Sequence, residues 1–193
     1  MDKIIDKRTA FLETAALPSA PALRLRPWGE ADAPGLVEPG RDAALRRWTS
    51  MAVDDEAGAV DWVRTQRRGW EAGDRFAFAV LEPHEQGGAA RLVGHVVLNG
   101  VAPGASSASV GYWTTAPARG RGVAPRALRA LTAWAFATFA GGGLTRLELL
   151  HQVDNTASCR VAEKCGYELG AVLPASPPAY PLEGHVHVRT HGS

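Results

Sequence analysis

The segment from Val123 to Ala140 is apolar on almost every side, with Leu128, Leu131, Trp134, Phe136 and Phe139 distributed around it. A helix with that pattern has no face to give to water and must be deeply buried. Gly141-Gly-Gly143 stops it, and a tight basic glycine turn, Arg119-Gly-Arg-Gly-Val-Ala124, leads into it. The elements on either side are what can enclose it.

Upstream, Leu23-Arg-Leu-Arg26 alternates and ends at Pro27, as a first strand should. Residues 30–49 read as one or two short helices interrupted by Pro34, Pro39 and Gly40. Asp54-Asp-Glu56 opens a longer helix reaching Glu71. Phe76–Leu81 and Leu92–Leu98 read as strands joined by a polar hairpin with Gly87-Gly88, and Ser107–Thr115 completes the meander. Downstream, Leu144–Leu150 is a strand, Asn155–Cys165 a helix, Tyr167–Leu173 a strand, and His185–Thr190 a closing strand after a proline-rich loop. This order predicts an α/β (α+β) fold, a central mixed and mostly antiparallel sheet of about seven strands with helices on both faces. A single domain is expected over residues 21–193, with 1–20 as a flexible leader.

Composition narrows the function classes. With 21 Lys+Arg against 20 Asp+Glu, the formal net charge is +1, which supplies no broad footprint for nucleic acid. No apolar run reaches the roughly 18 residues of a membrane span, and the first eight residues break their apolar positions with charge. A cytoplasmic location is expected. Cys159 and Cys165 point in different directions on one helix, so neither a disulfide nor a zinc pair is expected of them. His185-Val-His187 puts two imidazoles on one strand face, but without a third ligand at recognisable spacing it reads as a solvated edge strand, and no metal is expected.

The glycine turn carries the chemistry. Gly120 and Gly122 permit backbone conformations closed to other residues and allow close approach of a ligand. Pro125 sits in the first helical turn, where its missing N–H costs nothing. The unpaired N–H groups from Gly120 through Arg121, Gly122 and Val123 to Ala124, with the helix dipole and the arginines, suit a pyrophosphate. The turn lacks the Gly-Lys-Ser/Thr ending of a P-loop, and proline occupies the place of a third dinucleotide-fingerprint glycine. Further on, Asp154-Asn155 starts a helix that Gly166 stops.

Together, Arg119, Gly122 and Ala124 match the Arg/Gln-x-x-Gly-x-Gly/Ala signature, and with the Asn155 helix behind them the chain resembles the GNAT acetyl-CoA-dependent N-acetyltransferases, especially the Rim-type branch acting on protein N-termini. The resemblance spans roughly residues 22–190. It implies that the strand before the turn splays from its neighbour and that the pantetheine arm of acetyl-CoA runs along the freed main chain of Trp113 and Thr115. It also implies that Asn155 touches the cofactor arm and that Ser158 lies near the thioester sulfur as the catalytic hydroxyl. The tyrosine that many relatives place seven residues after the asparagine is Ala162 here, which leaves Ser158 as its substitute. The glutamate that Rim-type relatives carry before Gly-Tyr-Trp is Ser109, so no carboxylate base is evident; His151 is a candidate base through water.

The expected partners are acetyl-CoA and a primary amine, first a peptide or protein α-amine and second a small molecule such as an antibiotic. The resemblance also leaves room for a homodimer. A non-catalytic acyl-CoA-binding domain is the rival from another class, motivated by the missing tyrosine and glutamate.

Overall fold

The computed structural model describes residues 10–49, 51, 53–84 and 88–192. Residues 1–9 of the predicted leader and Gly87 of the predicted hairpin lie outside them.

The described residues form one eight-stranded sheet, β1 (Leu12–Glu13), β2 (Arg24–Pro27), β3 (Arg75–Glu82), β4 (Arg91–Asn99), β5 (Ser107–Thr114), β6 (Arg146–Gln152), β7 (Glu168–Leu173) and β8 (Gly184–Thr190). Their order across the sheet is β1-β2-β3-β4-β5-β6-β8-β7. Only β5 and β6 run parallel; every other pair is antiparallel. Five helices accompany them, α1 (Val37–Arg41), α2 (Ala43–Trp48), α3 (Glu56–Ala72), α4 (Val123–Phe139) and α5 (Thr156–Lys164). Among the described residues, no helix is long and apolar enough to cross a membrane.

Alternation within each strand divides the core in two. One face of the sheet, with Phe76, Phe78, Val96, Leu98, Val110, Leu147 and Leu149, packs on α4 through Ala127, Leu128, Leu131, Ala135 and Phe136. The other, with Ala77, Ala79, Val97 and Trp113, is covered by α1 to α3 and the 3-10 turn before them through Leu36, Leu45, Ala59 and Val63. Helix α4 is thus buried on its sheet side, but Arg129, Ala133 and Ala137 are exposed along the opposite side, so it keeps a stripe facing water where the apolar sequence predicts burial all round. The acidic residues at the start of α3 do ordinary work: Asp55 accepts from the Gly58 N–H at 2.8 Å as an N-cap, and Asp54 pairs with Arg46.

Two further features differ from the sequence reading. The eighth strand, Leu12–Glu13, comes from the predicted leader and pairs with Leu25 and Arg24. Arg126 of α4 explains its docking, because one guanidinium nitrogen donates to Thr14 Oγ1, Ala15 O and Pro21 O at 2.7–2.8 Å. Arg126 is only 9% exposed, so this segment supplies acceptors that water cannot. Arg126→Met is expected to lower the unfolding free energy by about 3 kcal/mol, the scale of losing hydrogen bonds from a buried cation. Urea unfolding reads that loss, and limited proteolysis should show residues 10–20 becoming the first cleavage site.

The second is β8, which is an interior strand between β6 and β7 and no solvated edge. His187 is 3% exposed. The exposed edge is instead β7, whose side chains all reach solvent.

Candidate active site

Strands β5 and β6 pair in register only from Ser107↔Arg146 to Val110↔Leu149. Beyond Val110, β5 stays bonded to β4 as far as Gly94↔Thr114 and parts from β6. The resulting gap opens into a cleft of about 850 Å³ that runs from the glycine turn past α5 to Trp48, Trp62 and His95.

At one end, Gly120 and Gly122 both adopt φ +75°, the left-handed conformation in which an L side chain is strained. Among the described residues, the N–H groups of Gly120, Arg121, Gly122, Val123 and Ala124 meet no protein acceptor, and Gly122 caps α4 without a side chain. A row of free donors at a long helix start is an anion site. The two arginines contribute differently from expectation. Arg119 lines the cleft but pairs with Asp42 at 2.8 Å, and this pair holds the Asp42 carboxyl below its usual range. Arg121 is outside the cleft wall, turned 2.6 Å from Glu82, which also holds Arg91. Burial pushes Glu82 up, but the two guanidiniums outweigh it and keep the carboxyl below its usual range. The charges of the turn are therefore largely compensated, and the main-chain donors are its uncompensated feature.

Along the splay, the parity of β5 corrects the sequence reading. The Thr115 N–H already donates to Val93 O at 3.1 Å. A Cβ added at Gly94 would lie 2.5 Å from the Trp113 carbonyl oxygen, so that carbonyl also faces β4. Alternation then turns the main chains of Tyr112 and Thr114, not Trp113 and Thr115, toward the gap. Trp113 and Thr114 border the cleft, and Thr115 does not.

At the far end of the gap, Asn155 Oδ1 accepts from the Ser158 N–H at 3.2 Å, so its carbonyl serves as the α5 cap. Ser158 Oγ in turn accepts from Tyr112 Oη at 3.1 Å. This phenol was not singled out in the sequence. Ala162, where a tyrosine was sought, is fully buried on the inner face of α5. The hydroxyl comes instead from the strand opposite, and the signal was the alternation that sends Tyr112 and Trp113 to opposite faces. Burial pushes the Tyr112 phenol up to about 12. It stays protonated and donates, leaving the Ser158 proton free to point into the cleft.

Two further expectations about bases meet the geometry. Both ring nitrogens of His151 are engaged, Nδ1 near Gln152 O at 2.9 Å and Nε2 near Cys159 Sγ at 3.7 Å, so neither addresses an acceptor. No Asp or Glu is found among the described residues lining the cleft. On the acceptor side, Trp48 lines the cleft with Arg47 over its ring at 4.5 Å, while Trp28 is buried in the core and donates to His95 Nδ1 at 3.0 Å.

The sequence matches the acetyltransferase (GNAT) domain family over residues 22–168. The comparison with curated proteins returns no match. Among solved structures, the fold is shared with Mycobacterium smegmatis RimJ in complex with a CoA disulfide (TM-score 0.75, 21% identity, 94% of this chain and 86% of that one). It is shared also with RimL, a ribosomal alpha-N-protein acetyltransferase bound to coenzyme A (TM-score 0.75, 18% identity, 92% and 97%). A third is the microcin self-immunity acetyltransferase MccE with acetyl-CoA and AMP (TM-score 0.76, 16% identity, 92% and 99%). With a family match across most of its length, a splayed sheet and a donor-lined glycine turn, this chain belongs to the GNAT family and is an acetyl-CoA-dependent N-acetyltransferase.

Proposed function

We propose that the chain transfers acetyl from acetyl-CoA to the α-amine of a protein or peptide N-terminus, by direct attack within a ternary complex. In this reading the N–H groups from Gly120 to Ala124 hold the pyrophosphate, with Arg119 at its edge. The Tyr112 and Thr114 main chains run beside the pantetheine, and Asn155 and Ser158 stand at the thioester. The neutral amine nitrogen attacks the thioester carbonyl, the C–S bond breaks, and the CoA thiolate leaves while the former ammonium proton goes to water or thiolate. Against a thiol of pKa about 8.5, full proton donation by the Tyr112 phenol would be uphill by roughly 5 kcal/mol. Ser158 therefore acts as the hydrogen-bond donor to the developing sulfur charge, with Tyr112 donating to Ser158 Oγ behind it, and the acceptor supplies the proton.

The observation that carries the α-amine assignment is the cleft whose described residues include no carboxylate and do include Arg75, Arg119, Arg160 and Lys164. Such a wall neither attracts an ammonium nor removes its proton, so the acceptor must bring a substantial neutral fraction of its own. RimL, of the same fold, is named for acting on protein α-amines, which agrees with this reading. The test is a panel of amines followed by release of free thiol: peptides with free N-termini, N-blocked lysine peptides, and small-molecule amines. Turnover with the first group above the other two is expected, and a small-molecule amine leading the panel would replace the acceptor.

The phosphate end is tested separately by Gly122→Asp. A carboxylate about 5 Å from a phosphate, at an effective dielectric near 20, costs about 3 kcal/mol. The Kd for CoA, measured by calorimetry, is expected to rise about 100-fold. An alanine there would meet no protein atom within 4 Å, so Gly122→Ala carries chiefly the strain of the left-handed φ, about 1–2 kcal/mol in stability. Equal CoA affinity in wild type and Gly122→Asp would remove the turn from the binding site.

A further inference from the structure

Under α5, on the sheet face shared with α4, four side chains converge that the acetyl-transfer reading does not use. His151 is the next-to-last residue of β6, His185 and His187 lie on β8, and Cys159 is on the first turns of α5. The register pairs His151 with His185 and Leu149 with His187, which brings the three imidazoles together on one face. His151 and His187 stack with ring centroids 5.2 Å apart, and His185 stands edge-on to both. One ligand atom from each of the four residues lies within 4.8 Å of all the others.

Three observations set this cluster apart from a satisfied histidine core. Neither ring nitrogen of His187 makes a hydrogen bond, although both are buried; the Tyr167 main chain approaches the ring without hydrogen-bonding geometry. A buried polar atom without a partner costs about 1–3 kcal/mol, so the arrangement is expensive unless something else occupies those lone pairs. Next, Cys159 Sγ lies 3.7 Å from His151 Nε2 and 3.4 Å from His185 Nδ1. With Zn–S of about 2.3 Å and Zn–N of about 2.05 Å, a tetrahedron has S···N edges of about 3.6 Å and N···N edges of about 3.3 Å. The two measured edges straddle the S···N value, and the other ligand atoms lie within 4.8 Å of one another. Last, the donor set is one soft sulfur with three imidazole nitrogens, which favours zinc over the oxygen-seeking cations.

We propose that His151, Cys159, His185 and His187 form a closed tetrahedral Zn(II) site that pins the start of α5 to β6 and β8. With four protein ligands, no coordination position is left for water or substrate, so the ion is structural and does not take part in acyl transfer. Binding exchanges the Cys159 thiol proton, released to solvent, for the metal. The consequence for the active site is positional, because Ser158 immediately precedes Cys159 and Asn155 caps the same helix. The proposal stands on metal ligation alone and is independent of the acceptor assignment.

The full chain, reduced, freed of any histidine tag and stripped with chelator, is titrated with Zn(II) and in parallel with Co(II). One metal ion per chain is expected, with the visible bands of tetrahedral Co(II) and a near-ultraviolet thiolate-to-metal absorption. Zinc should also protect Cys159 from alkylation, read by mass spectrometry of the peptide. Even an outer-shell partner is worth roughly 10–100-fold in metal affinity, so Cys159→Ser and His185→Asn are each expected to weaken binding at least about 100-fold. Cys159→Ser should also abolish the thiolate band. Wild type that takes up no equivalent of metal overturns the proposal, as does uptake that both variants retain at wild-type affinity. Should either variant misfold by circular dichroism, zinc protection of Cys159 in wild type decides: protection supports the site, and unaltered alkylation overturns it.

Discussion

At pH 7, a peptide with a free α-amine is expected to be acetylated much faster than the same peptide with its N-terminus blocked and a lysine as the only amine. An α-amine with pKa about 7.8 is neutral in roughly one molecule in seven, and a lysine with pKa about 10.4 in roughly one in 2,500. The population ratio is about 350, or about 3.5 kcal/mol. An enzyme with a carboxylate at the acceptor would compress this ratio, since the base would take the proton after binding. Here the cleft presents no Asp or Glu among the described residues, and His151 has both nitrogens occupied. The stronger intrinsic nucleophilicity of lysine works the other way, which makes the pH dependence the cleaner measurement. At pH 9 the neutral populations differ by only roughly 25-fold. The ratio of kcat/KM values should therefore fall about 14-fold between pH 7 and pH 9, whatever the intrinsic reactivities. A ratio that is flat across that range, or a preference for lysine at pH 7, would reveal a base that the cleft lining does not contain.

What could be read from the sequence depended on how local its cause was. Helix α4 and the glycine turn were legible because apolar distribution and the left-handed glycines are properties of consecutive residues. The cap at Asn155 and the stop at Gly166 were legible for the same reason. Parity along β5 was not. Whether Thr114 or Thr115 turns its main chain to the gap depends on the register with Val93 and Gly94, which nothing within β5 specifies. Nor could the partners of Arg119 and Arg121 be read, since Asp42 and Glu82 arrive from the N-cap of α2 and from β3. The Cys159 cluster required β8 to insert between β6 and β7, so an edge-strand reading of His185 and His187 concealed it. Strand β1 escaped because two residues carry no period; a buried arginine on another element holds the segment that contains them.

The other side of the cleft should betray itself in acid stability. His95 of β4 is 4% exposed, accepts from Trp28 Nε1 at 3.0 Å through Nδ1, and stacks on Trp113 with ring planes 17° apart. Trp62 stands edge-on to it, and the Arg75 charge acts on it from β3. Burial, with a smaller push from Arg75, lowers the imidazole from its ordinary 6.5 to about 3. The unfolded chain thus binds a proton near pH 6.5 that the folded chain refuses until about pH 3, and stability must rise with pH between those values. This contribution is complete above pH 6.5 and is lost as the pH falls, at about 1.4 kcal/mol per unit, to a total of about 5 kcal/mol. Urea unfolding of metal-free protein at pH 7, 6 and 5 reads the first part of this slope, before the Asp42 and Glu82 carboxylates begin to titrate. Burial lowers His151 and His187 as well, so the wild-type slope contains them, and the His95 share is the difference from His95→Gln. That variant keeps an acceptor for Trp28 but has nothing to protonate. It is expected to be less stable at pH 7, yet to lose about 2 kcal/mol less than wild type between pH 7 and pH 5. Parallel slopes would mean that His95 takes up its proton in the folded state, which requires Trp28 to release Nδ1 and the tryptophan wall of the acceptor side to open.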